Sequence, residues 1–488
     1  MIVKTLKDEI QNYLTDASNF SGFCDAVYIP ENEYETAEIL KEHNRRKIPV
    51  TVSGNGTGLT GARVPEGGIV LSTEKLNKIL EINTIDKFAV VEAGVLLSDF
   101  QNAVNVKGLL YPPDPTERNC FIGGTAATNA SGEKTFKYGP TRDYIMELEI
   151  ILANGHSLRL ERGKQRADGF NLDLKTVEGE EYHIIIPDFM IPQVKNASGY
   201  FCKKNMDAAD LFIGSEGTLG VITKLKLKLI ELPEKIISCV AFFHDEHDAL
   251  SFINESRNIS GNTRLRKDPR CIDALALEFF DENSLKFLMN DYPQIPGNAK
   301  SAVWFEQEVT KANEDFFLDS WLDLIEEFHG EQDDTWLAVS ENDKKNIEKF
   351  RHSIAEKVNE YISRRNLRKL GTDAAVPHER FEELYFYSKN ECENGKLEYV
   401  TYGHFGNSHM HMNILPKDID DFDSGKKVYA GICRKAISLG GTISAEHGIG
   451  KIKKEFFREM YGEENIAKMA EIKKILDPGF ILGKGNLF

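Results

Sequence analysis

What most constrains the fold is a set of three small-residue clusters between Thr51 and Pro233, each set at the end of an apolar stretch. The first, TVSGNGTGLTG (Thr51–Gly61), directly follows RRKIPV, which reads as a strand. Glycine lets a backbone approach a ligand closely, and successive N–H groups facing one way form an anion nest. The common phosphate loops do not fit, because GxxxxGK[ST] is absent and the spacing of Gly54, Gly56, Gly58 and Gly61 misses GxGxxG. The next strand, GGIVLST (Gly67–Thr73), arrives too soon for a crossover helix. The second cluster is YPPDPTERNCFIGGTAATNASG (Tyr111–Gly132), in which Pro112, Pro113 and Pro115 rule out a helix at the start. Gly123, Gly124, Ala126, Ala127 and Ala130 leave no bulk around the backbone there. The third, LFIGSEGTLGVITKLKLKLIELP (Leu211–Pro233), runs into the alternation of a half-exposed strand. Together the clusters imply one long ligand wrapped by backbone, with a pyrophosphate at the first loop and a flat portion between the walls of the others. A flavin dinucleotide has that shape. At Gly56 a β-branched side chain is expected to occupy the space of the phosphate.

The 488 residues allow two or three domains, and 41% hydrophobic with 28% charged residues is the balance of a soluble globular chain. No apolar run is long enough to cross a membrane, and the N-terminus lacks a secretory pattern. A net charge of −17 argues against nucleic acid and against an anionic membrane surface. Seven scattered cysteines without a CxxC pair make an iron–sulfur cluster or thiolate zinc site unexpected and fit a cytoplasmic protein, at most peripheral to a membrane. DAVYIPENEYETAEILKEHNRRKIPVTVSG reads as strand, N-capped helix, strand, and Ser98 is placed to cap a helix after Gly94. From Pro233 to about Leu415 strands and long charged helices alternate without glycine loops, and the text after Pro416 is mostly helical.

Three of the twelve histidines, His404, His409 and His411, fall within GHFGNSHMHMN. On a strand His409 and His411 share a face, and a turn over Gly406, Asn407 and Ser408 would fold His404 back onto them. Imidazoles with a carboxylate suit zinc, manganese or iron, and Glu446 in SAEHGIGK is the candidate carboxylate.

With these segments the chain resembles the FAD-linked oxidoreductases of the vanillyl-alcohol oxidase (PCMH-type FAD domain) superfamily, in the D-2-hydroxyacid dehydrogenase branch of D-lactate, D-2-hydroxyglutarate and glycolate dehydrogenases. The resemblance spans the chain through VSGNGTGLTGA, YPPDPTERNCFIGGTAATNASG, YGPTRDYI, FIGSEGTLGVIT, GHFGNSHMHMN, SAEHGIGK and LDPGFILGKGNLF. It implies an α+β fold with a two-subdomain PCMH-type FAD-binding domain over 1–232. A substrate-binding α+β cap with an antiparallel sheet follows over 233–416, and a helical segment over 417–488 returns to complete the active site.

The resemblance further implies that Gly54, Asn55, Gly56, Thr57 and Gly58 hold the FAD pyrophosphate. Pro113, Asp114, Thr116, Gly123, Gly124, Thr128, Asn129, Gly132, Glu216, Ile222 and Asn486 are implied to line the cofactor. Asn55 stands where the family usually has a further glycine, and asparagine tolerates positive φ. Some members attach FAD through a histidine near this loop, but none lies between His43 and His156, so non-covalent FAD is expected. His404, His411 and Glu446 are implied as ligands of a divalent metal, His447 as the base, Arg351 as the substrate arginine and Lys369 as a weaker second cation. The histidine motif departs from the family at Asn407, Ser408, His409 and Met410, and His409 is either a further ligand or a polar neighbour. The implied reaction oxidises a small D-2-hydroxyacid to its 2-oxoacid by hydride transfer to flavin N5. Electrons then pass to a quinone, an electron-transfer flavoprotein, a cytochrome or oxygen, and a homodimer is possible. The alternatives are a non-redox flavoenzyme like alkylglycerone-phosphate synthase and an electron-transfer subunit without its own substrate.

Overall fold

In the computed structural model, which describes residues 1–365 and 367–488, two strands flank the first glycine cluster without a helix between them. The chain opens with β1 (Ile2–Lys4), β2 (Ala26–Ile29), α1 (Glu33–Arg46), β3 (Val50–Ser53) and β4 (Ile69–Ser72). β2 and β3 both pair in parallel with β4, giving the sheet order β1-β2-β4-β3. The connection between β3 and β4 is therefore the glycine loop itself, a crossover of irregular backbone. α1 starts where the Asn32 side chain accepts from Glu35 N, and Lys47 closes it in the left-handed region.

A second, antiparallel sheet holds β5 (Ile79–Asn83), β6 (Phe88–Glu92), β7 (Ile145–Ile151), β8 (Ser157–Glu161) and β9 (Val221–Lys228) in the order β5-β6-β9-β7-β8. The helix after Gly94 covers Leu97–Asn105, with Leu96 at its N-cap and no side-chain cap. Ser98 thus lies inside the first turn, because burial of Leu97, Phe100 and Val104 sets the start rather than a hydroxyl. A short helix, α2 (Ile122–Thr128), carries the second small-residue cluster against β9.

The third sheet has eight strands, all pairings antiparallel, and is built around β10 (Lys235–Phe243), β11 (Ala274–Asp281), β12 (Ser301–Val309), β13 (Tyr399–Gly403) and β14 (His409–Ile414). The long helix α3 (Glu341–Ser363) packs on it and begins with a capping box between Ser340 and Asp343. α4 (Ile419–Ser438) and α5 (Lys454–Leu476) follow, and the tail after α5 runs back to β3, where Val50 N donates to Ile481 O at 2.7 Å. Lys473, itself buried, fixes that return by donating to Thr218 O, Leu482 O and Asp477 Oδ2. Among the described residues no helix is long and apolar enough to cross a membrane.

Candidate active site

A cleft of about 280 Å³ runs between the first two sheets. Its wall includes Gly54, Asn55, Gly56, Thr57 and Gly58 from the first cluster, Thr116, Gly123, Gly124 and Thr128 from the second, and Glu216 and Ile222 from the third. A Cβ added at Gly124 would meet nothing within 4 Å, so this small-residue wall leaves room for a bound group. Gly56 has φ +82°, and a Cβ there would lie 2.5 Å from Arg63 Cζ. Glycine is thus favoured at this loop position by its backbone conformation, and the end of the Arg63 side chain occupies the place a Cβ would take.

Five of the expected cofactor residues sit off this wall. Pro113 is buried beside it. Asp114 turns its buried carboxylate to Arg118, at 2.8 Å, and to Lys134, at 3.1 Å. Asn129 ends α2 in the left-handed region and accepts from Arg142 N, facing a separate small cavity. Gly132 packs so tightly that a Cβ would lie 2.1 Å from Asp114 O. Asn486 supports the glycine loop from behind, donating to Ala62 O at 2.8 Å and accepting from Lys451 Nζ at 2.6 Å.

At one end the cleft reaches Glu446 and His447. The strand register of β13 and β14, with a left-handed Ser408 closing the turn between them, gathers the three histidines of the motif. His404 Nε2 and His411 Nε2 lie 3.4 and 3.2 Å from the same oxygen, Glu446 Oε1. The Nδ1 atom of His404 faces Glu278 Oε1 at 2.6 Å and that of His411 faces Thr372 O at 3.2 Å. Acceptors on both Nδ1 atoms leave both Nε2 atoms free to act as donors of lone pairs toward a cation. One ligand atom from each of His404, His409, His411 and Glu446 fits within 4.8 Å of the others, which suits a divalent metal of the zinc, manganese or iron class. Burial alone would raise the Glu446 carboxyl, but Lys195 Nζ at 2.7 Å together with His404 holds it well below the usual range.

His409 is fully buried, with Nε2 2.9 Å from Asp373 Oδ1 and Nδ1 3.3 Å from Lys195 Nζ. Burial and the neighbouring Lys195 keep its ring neutral. Asp373 is a residue that the sequence reading missed. Its Oδ2 accepts from His447 N at 3.0 Å, Ser444 Oγ at 2.8 Å and Lys453 Nζ at 2.8 Å, and lies 3.2 Å from His447 Nδ1. Glu278 was missed as well. It receives Arg351 Nε at 2.7 Å through the other oxygen than the one facing His404, and so joins the arginine to the histidine cluster. Burial would raise the Glu278 carboxyl, and Arg351 and His404 bring it down to about 2. Lys369 is half-buried and has no ion pair among the described residues, and burial alone pushes its ammonium down to about 8. Its Cε and the unpartnered Asn413 Oδ1 both crowd the position where Gly371 would carry a Cβ.

A glycine-walled dinucleotide cleft ending at an imidazole–carboxylate cluster defines a flavin-dependent oxidoreductase, and the comparisons agree. A profile described as "FAD binding domain" matches residues 24–161, and one described as "FAD linked oxidases, C-terminal domain" matches residues 263–487. The D-lactate dehydrogenase of Archaeoglobus fulgidus is 30% identical over 470 residues, covering 94% of this chain and 90% of that protein. The glycolate oxidase subunit GlcD of Bacillus subtilis is 29% identical over 485 residues, covering 98% and 92%. The crystal structure of p-cresol methylhydroxylase shares the fold, with a TM-score of 0.72, 14% identity and coverage of 99% and 93%. The chain belongs to the FAD-linked oxidoreductases with a PCMH-type FAD domain.

Gly56→Val is expected to yield protein without flavin, since the side chain meets Arg63 and the backbone resists that φ; the ratio of flavin to protein absorbance checks this. Asp373→Asn is expected to lower turnover by about 10–100-fold through misorientation of His447 while leaving flavin content intact. Steady-state rates beside the flavin spectrum decide between that outcome and general unfolding.

Proposed function

We propose that the protein oxidises a D-2-hydroxyacid to the 2-oxoacid, with FAD held non-covalently. The observation that carries this reading is the convergence of His404 and His411 on Glu446 beside His447 at the end of the FAD cleft. The support for non-covalent FAD is that no histidine lies between His43 and His156 and that, among the described residues, His447 is the only histidine on the cleft wall. We assign residues 1–232 to the FAD domain, 233–416 to the cap and 417–488 to the segment that closes the site.

FAD, held by the glycine-walled cleft, would supply the acceptor for the hydride that leaves the substrate's C2. A divalent metal held by His404, His411 and Glu446 would acidify the substrate hydroxyl. His447 receives the hydroxyl proton at Nε2, while Asp373 below it holds Nδ1 and the backbone N–H. Arg351 orients the substrate carboxylate, and Glu278 holds the guanidinium in place without using all of its N–H groups. Lys369 is the second cation of the substrate side. His409, held between Asp373 and Lys195, serves as a polar support rather than a required ligand. An electron-transfer subunit or a non-redox flavoenzyme would not need a metal cluster together with a base.

The decisive test is anaerobic bleaching of the flavin by a panel of D- and L-2-hydroxyacids, before and after chelation. Bleaching by D-isomers that chelation slows is the expected result; no bleaching by any 2-hydroxyacid would sink the reading. Glu446→Ala should lose metal and weaken substrate binding, whereas His447→Ala should keep metal and FAD and lose roughly 10²–10⁴-fold in turnover. His409→Asn should leave metal content nearly unchanged by elemental analysis. Lys369 is charged below about pH 8 and neutral above it, so KM should rise as pH climbs through that value. Lys369→Met should remove this rise.

A further inference from the structure

We propose that Arg63 is the counter-charge for the pyrophosphate of the bound dinucleotide, an inference that rests on the FAD reading above. The first observation is the charge of the cleft wall. It carries the carboxylates of Asp16, Glu117, Glu216 and Glu446, and Arg63 is its only lysine or arginine among the described residues. An anionic ligand entering this cleft has one permanent cation to meet.

The second observation is the state of that cation. Arg63 Nε donates to Thr15 O at 2.9 Å, Nη1 to Gly54 O at 2.9 Å and to Ser53 Oγ at 3.3 Å, and Nη2 to Asn12 O. Every acceptor is neutral, and one of the five guanidinium N–H groups is left over. No carboxylate forms an ion pair with it among the described residues. The nearest acid, Asp16, spends its oxygens on Gly61 N at 2.8 Å and on Ser18 N at 3.0 Å. Arg63 is half-buried, and that partial burial, which no carboxylate offsets by direct contact, weakens the hold of the guanidinium on its proton.

The third is position. The guanidinium lies against the apex of the glycine loop, 2.5–2.8 Å from where a Gly56 Cβ would be. That loop runs from strand to strand, so no helix dipole stands behind its N–H groups, unlike the familiar phosphate sites. Backbone N–H groups supply only partial charges there, and Arg63 supplies the full one. Thr15 and Asn12, which hold Arg63 in place, belong to the N-terminal stretch outside the matched FAD-domain profile.

The test titrates apoprotein with FAD and with riboflavin, which lacks phosphates, at low and high salt, for the unaltered chain and for Arg63→Gln and Arg63→Lys. In Arg63→Gln the Kd for FAD should rise about 10–100-fold, with a flattened salt dependence and an unchanged Kd for riboflavin. Arg63→Lys keeps the charge but not the fork to Thr15, Asn12 and Gly54, so it should retain the salt dependence. Equal weakening of FAD and riboflavin in Arg63→Gln would overturn the proposal, since Arg63 would then only brace the loop. So would FAD binding by the unaltered chain that salt does not affect, a result that needs no variant to fold. Binding of neither flavin by the unaltered chain would instead overturn the FAD reading on which the proposal stands.

Discussion

The carboxylate of Asp373 is the interaction on which the rest of the site depends. It is essentially without solvent, and a bare charge in that position would cost several kcal/mol. Lys453, Ser444, His409 and the backbone and ring of His447 all converge on it. By meeting these donors at once, one side chain ties the loop around Glu446 to β14, and so fixes where Glu446 stands relative to His404 and His411. Glu278, on β11, does the corresponding work, setting the His404 ring and the Arg351 guanidinium with a single carboxylate. The cluster is held together by charges buried in pairs, each partner being what makes the other tolerable.

The same economy joins the two halves of the cleft. Glu216 adopts a left-handed backbone in the third small-residue cluster, and its carboxylate accepts from Ile449 N at 2.8 Å and Gly450 N at 2.7 Å. Burial outweighs those bonds and raises the carboxyl to about 7. The segment carrying Glu446 and His447 is thus hung on the cleft wall, and the place of His447 there is set in part by these two backbone N–H groups.

Much of this was legible in the chain. The three clusters marked the cleft because glycine and alanine at strand ends have a local signature, and the histidines marked the imidazole–carboxylate cluster because three so close together are rare. Glu278 and Asp373 left a fainter mark. Each is an acid in an apolar run, Glu278 in ALALEFFD beside Asp281 and Asp373 in LGTDAAVP, and a buried charge in such a run needs a partner. Lys195, in QVKNASG, left none, because its contact with Glu446 spans 251 residues. The family resemblance implied Asp114, Asn129, Gly132 and Asn486 as cofactor residues. In the structure they stand behind the cleft wall, where their hydrogen bonds and close backbone packing brace it, a placement that spacing alone does not give.

The support that Asn486 gives the glycine loop has a consequence for folding. Its bond to Ala62 O closes a separation of 424 residues, and the segment that carries it also pairs with β3. A contact that closes so long a loop carries a large chain-entropy cost and depends on the intervening sheets being assembled first. Local opening of residues 481–486 would therefore loosen the glycine loop while leaving the strand pairs of both sheets in place.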